Sequence, residues 1–181
     1  MDIYEEKFLM DQIYSTVFAL ANKLQAEGDK RYGELTSRQL MVLIAIGHLK
    51  ESETTLNNIA KKIGATKQSV QQLVTTLKKG GFVEILPSKD DKRAVNVTIT
   101  SYGKQAMMKG YTSSILFFAD VFKDFSIEEM QILWCLLKKL YKFDGKQHDG
   151  FEGDTNIEFN QEQMTEGINA FEKLKESREK F

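Results

Sequence analysis

One proline, one cysteine and two histidines are spread over 181 residues, and each scarcity removes a class of protein. Cys135 alone cannot close an internal disulfide, so the chain is not a disulfide-stapled scaffold. His48 and His148 stand far apart with no ligand-spaced neighbours, which leaves metal sensing without a donor set. No apolar run reaches the roughly 20 residues that a bilayer-spanning helix requires, so no membrane partner is expected. No basic-then-apolar leader opens the chain, because Asp2, Glu5 and Glu6 already fall in its first turns; a cytoplasmic protein is the expectation. Without such a leader, the sequon Asn96-Val97-Thr98 reads as ordinary strand residues. No nucleophile–base pair, glycine-rich phosphate loop or metal motif marks an enzyme, and no cofactor is expected.

A further absence is local. Residues 54–83 contain no Asp or Glu. The formal net charge of −1 conceals a strong asymmetry. From Thr54 to Arg93 eight basic residues face three acidic ones, whereas from Lys146 onward five basic residues face nine acidic ones. A basic middle and an acidic tail are the charge pattern that matters to a polyanionic partner.

With 41% apolar residues the chain can build a sizeable core. Its apolar periodicity predicts mainly helices. The first covers about Asp2 to Glu27, with Ile3, Phe8, Leu9, Ile13, Val17, Phe18, Leu20 and Leu24 at helical spacing. Thr36-Ser37-Arg38-Gln39 is a capping-box pattern opening a second helix. A short helix spans about Asn57 to Ile63 and ends at Gly64. Thr66 then caps a further helix whose Val70, Leu73, Val74 and Leu77 face inward, stopped by Gly80-Gly81. At Phe82 the period changes from 3.6 to two. Phe82 to Leu86, a turn at Pro87 to Asp91, and the alternating Val95, Val97 and Ile99 predict a hairpin. Thr100 caps a helix to about Phe122. Ser126-Ile127-Glu128-Glu129 opens another through Tyr141, with Met130, Leu133, Trp134, Leu137 and Tyr141 on one side. Gly145, Gly150 and Gly153 mark a polar linker, and Asn160 caps a last charged helix to about Lys180.

Helix, short helix, two-residue connection, helix, hairpin is the order of a winged helix-turn-helix. Its third helix projects so that a free face can enter the major groove of DNA. Opposite the apolar stripe lie Gln68, Gln71, Gln72, Thr75 and Lys79. Glutamine pairs bidentately with adenine, so a preference for A·T pairs is expected. Thr66, Lys67 and Ser69 occupy the first turn, where free backbone amides favour phosphate. Arg38, in the first turn of the second helix, joins this DNA-facing set. At the hairpin tip Lys89, Lys92 and Arg93 can follow the backbone into the minor groove, with Asp91 aiming Arg93. A solvated helix face and an ordinary charged turn are the plain alternatives; the lack of carboxylates weighs against them.

Leu56-Asn57-Asn58-Ile59-Ala60, Thr66 to Gly81, Asp91-Lys92-Arg93 and Val97-Thr98-Ile99-Thr100-x-x-Gly103, taken in order, resemble the MarR (multiple antibiotic resistance regulator) family of transcription factors. The resemblance covers about residues 1–145. It implies a mainly α fold with a small β-hairpin wing. A winged helix-turn-helix lobe at about 35–100 would sit between dimerisation helices at about 2–28 and 101–142, and residues 146–181 would form an acidic linker and an extra C-terminal helix. It implies a bacterial homodimer that binds double-stranded DNA at a pseudo-palindromic operator, acting as a repressor relieved by a small-molecule effector. A pocket lined by aromatics such as Tyr14, Phe18, Phe117 and Phe118 would hold the effector, with plain core as the alternative. The apolar surroundings of Cys135 predict an inert core thiol. Two features depart from the family: the recognition helix offers glutamines and no arginine, and the family does not generally extend past Gly145. The competing function is a winged-helix protein-interaction module without specific DNA binding.

Overall fold

The computed structural model describes residues 2–87, 95–145, 151 and 155–178, the side chains of 177 and 178 excepted. The predicted hairpin tip, with Lys89, Asp91, Lys92 and Arg93, lies outside the described residues, as do Gly150, Gly153 and Lys180.

Seven α-helices and one antiparallel hairpin are described: α1 (Ile3–Asp29), α2 (Ser37–Gly47), α3 (Leu56–Ile63), α4 (Lys67–Lys79), β1 (Val83–Pro87), β2 (Val95–Ile99), α5 (Ser101–Val121), α6 (Ile127–Tyr141) and α7 (Gln161–Arg178). The helix starts follow from side-chain caps. Asp2, Thr36, Thr55, Thr66, Thr100 and Ser126 each accept a hydrogen bond from a first-turn amide, satisfying groups that the helix itself cannot. At Thr36 and Ser126 the bond is reciprocated by Gln39 and Glu129. The short helix starts at Leu56, a residue earlier than expected, because Thr55 supplies the cap. Gly64 ends it at φ 65°, a left-handed conformation that costs glycine little.

The core gathers Val42 and Leu43 of α2, Ile59 of α3, Val70, Val74 and Leu77 of α4, and Val83 and Val97 of the hairpin, all essentially fully buried. One face of α4 is thereby held and the other left free. The hairpin pairs Val83 with Ile99 and Ile85 with Val97. Its inner strand is also fastened to the α2–α3 connection by a bridge between Thr55 and Asn96 and by the Val97 amide donating to the Thr54 carbonyl at 3.0 Å. Phe82, expected to open the strand, belongs instead to the end of α4: its amide closes on the Leu77 carbonyl at 2.9 Å and its ring is buried.

Hairpin and α5 meet in a tight joint. The Thr100 hydroxyl donates to the Gly81 carbonyl at 2.7 Å and accepts from the Gly103 amide at 2.9 Å. The Thr100 amide donates to the Phe82 carbonyl at 3.0 Å. That carbonyl lies directly against the Cα of Gly103, where any side chain would collide with it. The Phe82 ring stacks on Tyr102 at 5.1 Å, and Tyr102 donates to Glu34. The spacing Thr100-x-x-Gly103 is thus the geometry of a helix cap pressed onto a neighbouring carbonyl.

Residues 155–160 are fastened to the lobe and to α5. Asn156 donates its amide to the Gly47 carbonyl at 2.7 Å and its side-chain NH2 to the Leu49 carbonyl at 3.2 Å. Ile157 packs on the bare face of Gly47, and Lys104 reaches the Glu158 carbonyl at 3.3 Å. Asn160 and Gln163 then exchange bonds at 2.9 Å to cap α7. This helix lies along α5, with Gly167 and Ala170 buried, Gly167 beside Met108, and Phe171 6.3 Å from Tyr111. Phe151 sits 5.5 Å from His48 and beneath Lys62. Burial, and then the Lys62 charge, hold His48 below the usual histidine range.

Gly103→Ala is expected to destabilise the fold by about 2 kcal/mol or more, since the methyl group must displace a hydrogen-bonded backbone. Urea unfolding followed by circular dichroism measures this; a loss below about 0.5 kcal/mol would reject the joint as described.

Candidate nucleic-acid interface

The exposed face of α4 brings most of the predicted site residues together. Gln68, Gln71, Gln72 and Thr75 are all exposed, and with Thr76 they border one shallow surface concavity. Thr76 was missed by the spacing argument, although it stands one helical turn beyond Gln72. Two of these side chains are already oriented. The Thr75 hydroxyl donates to the Gln71 carbonyl at 2.7 Å, and that of Thr76 to the Gln72 carbonyl at 3.1 Å. With each hydroxyl proton used inside the helix, the two threonines have a methyl group and an acceptor oxygen left to offer a partner. The glutamine amides, able to donate and accept, supply the pairing capacity.

The first turn of α4 is arranged differently. The Thr66 hydroxyl accepts from the Ser69 amide at 3.2 Å, which occupies the oxygen as a cap. Lys67 is exposed and Ser69 half-buried. Remaining first-turn amides and the helix dipole point outward with Lys67, a favourable setting for an anion. Lys78 and Lys79 are exposed at the other end. The face carries lysines at both ends and neutral amides and hydroxyls between them, with no carboxylate between residues 54 and 83. Arg38 is exposed on α2, separate in sequence and element from the α4 set. Lys89, Asp91, Lys92 and Arg93 lie outside the described residues.

Away from α4, two expectations change. Cys135 is exposed, not buried. The apolar stretch around it belongs to α6, none of whose residues is buried within one chain. The aromatics proposed to line a pocket fall into two pairs. Tyr14 and Phe18 lie 4.9 Å apart on the exposed part of α1. Phe117 is 5% exposed in the core, edge-on to Tyr32 and beneath the Arg31 guanidinium, with Phe118 beside it. Phe117 is therefore a core residue. Among the described residues, no group of three or more His, Cys, Asp or Glu could hold a metal ion, and no helix is long and apolar enough to cross a membrane.

A projecting helix held by its apolar face, a two-residue turn before it and a hairpin after it define a winged helix-turn-helix protein. The MarR family model matches residues 34–94. The transcriptional activatory protein BadR of Rhodopseudomonas palustris is 23% identical over 151 residues, 81% of this chain and 86% of that protein. A mutant MarR from E. coli complexed with operator DNA has a similar structure, with TM-score 0.64 and 20% identity, covering 77% of this chain and 99% of the other. So does the organohalide-sensing regulator RdhR in its 2,4-dichlorophenol-bound form, with TM-score 0.67 and 16% identity, covering 88% and 96%. Residues 34–94 thus match the MarR family, and the fold is shared with solved MarR-type regulators.

The cap and the exposed glutamine face separate by mutation. Thr66→Ala should lower the unfolding free energy by about 1 kcal/mol, whereas Gln71→Ala should stay within about 0.5 kcal/mol of the parent. Equal losses in denaturant titrations would make Gln71 a structural residue.

Proposed function

We propose that the chain is a homodimeric transcriptional regulator that inserts α4 into the major groove of a pseudo-palindromic operator. The observation that carries this reading is the exposed Gln68–Gln71–Gln72 face in a stretch without carboxylates. Counterion release by Lys67, Lys78, Lys79 and the wing residues Lys89, Lys92 and Arg93 supplies sequence-independent affinity. The glutamines supply base readout, with adenine their best partner. Likeness to an operator-bound MarR supports the docking geometry. Two copies would set their α4 helices about one DNA turn apart, or a multiple of it. A cytoplasmic location accompanies this role.

Repression relieved by a small-molecule effector is the proposed output. Occupying an operator blocks a promoter with no further contacts. The effector needs only to bind the DNA-incompetent arrangement of the lobes more tightly than the competent one. The dichlorophenol-bound relative supports an effector of this size. Residues 1–145 form the proposed regulator domain, and 146–181 an extension of it.

Fluorescence anisotropy with duplexes from the gene's own upstream region should show binding that weakens steeply with salt. Lys67→Ala should weaken all duplexes alike and flatten the salt slope by about 1, whereas Gln72→Ala should cost about 1–3 kcal/mol on the preferred site alone. Absence of salt-sensitive binding at micromolar protein would replace this reading with a protein-interaction module. Arg93→Ala should weaken binding without lowering the melting temperature; unchanged affinity would remove the wing from the interface.

A further inference from the structure

α1 is apolar around most of its circumference. At 3.6 residues per turn, Ile3, Tyr4, Phe8, Leu9, Met10, Ile13, Tyr14, Val17, Phe18 and Leu20 span roughly three-quarters of the helix. All ten side chains are exposed, and Gly28 is the one described residue of α1 that is buried. Glu6 and the Lys7–Asp11 ion pair interrupt that arc, but an apolar surface this wide still calls for packing partners. Covering that arc takes more than one or two neighbours, and the described residues of this chain leave it exposed. The proposed dimer accounts for part of the cover through the exposed α6 and the distal half of α5.

α7 carries a matching surface. Gln163, Gly167, Ala170 and Leu174 form its inner row against α5. About a quarter-turn away, at the same helical spacing, stand Met164, Ile168 and Phe171, which are 58%, 58% and 53% exposed. This second row is continuous with α5: Phe171 meets Tyr111, and Phe118 lies two turns further along the same side. α7 runs parallel to α5, as the successive contacts Lys104–Glu158, Met108–Gly167 and Tyr111–Phe171 show. The stripe therefore leads from the reading lobe towards the end of α5 where the exposed surface lies.

We propose that Met164, Ile168 and Phe171 seat α1 of a second copy of this chain, so that α7 is a working wall of the dimer interface. The proposal rests on the dimeric reading above. It assigns the extension a role that the winged lobe cannot fill: closing the side of α1 that two helices leave open to water.

The test uses the full-length chain with p-benzoylphenylalanine in place of Ile168, together with a separate Met164→Glu/Ile168→Glu variant. Irradiation should give a covalent dimer whose cross-linked peptide maps to residues 2–29. In sedimentation velocity the double variant should dissociate at a concentration at least about tenfold higher than the parent. A chain that is dimeric yet cross-links within itself, or to another part of the second copy, overturns the seat while leaving the dimer intact. An unchanged dissociation constant does the same. A parent that sediments as a monomer at all concentrations overturns the dimer and the seat together. If the double variant loses its helical circular dichroism, the cross-link map decides.

Discussion

The Phe82 carbonyl is the point on which the arrangement of this molecule turns. It accepts the Thr100 amide, lies against the bare Cα of Gly103 and continues the chain that leaves α4. α4, the hairpin and α5 therefore share one anchor. Because α4 ends at Lys79 and the anchor is three residues on, little slack separates the reading face from the helix that carries it. A side chain at position 103 would pry α5 from the lobe, and α4 would lose its fixed relation to whatever α5 is bound to. The requirement acts on backbone atoms, which explains why it appears in the sequence as a glycine and a threonine and not as a conserved-looking hydrophobic pair.

Features set by neighbouring residues were legible before any coordinates. The caps at Thr36, Thr66, Thr100 and Ser126 are bonds spanning three residues, and a three-residue pattern reveals them, whereas Thr55 reads in the sequence as part of a polar connection. The α4 stripe was legible for the same reason, since Val70, Val74 and Leu77 define one face and Gln68, Gln71 and Gln72 the other. Thr76 escaped because, eight residues after Gln68, it falls at the edge of the stripe that Gln68, Gln71, Gln72, Thr75 and Lys79 define. The docking of the extension was not legible. Asn156 bonds to Gly47 and Leu49 across more than a hundred residues, and nothing in either segment announces the other. Cys135 was misread for a related reason. An apolar neighbourhood in sequence predicts burial by something, but among the described residues none of α6 is buried.

Charge is partitioned along the fold as well as along the sequence. The stretch that presents α4 is free of carboxylates, while Glu158, Glu162, Glu166, Glu172 and Glu176 travel with the extension. An overall balance near zero is compatible with a polyanion-binding face because screening limits each charge to a neighbourhood of about 8 Å at physiological ionic strength. The local field at Lys67 and Lys79 is thus governed by residues on their own lobe.

The bonds from Asn156 to the end of α2 have a mechanical meaning. A body fixed at a single place can swivel in any direction, whereas one pinned at two separated places turns only about the line between them. The lobe is pinned to α5 at Phe82, and the 155–160 strap pins it again at Gly47 and Leu49 on its way to α7. A third contact, of Leu40 in α2 on Gly110 in α5, restricts even that turn, so α4 keeps a set orientation to α5.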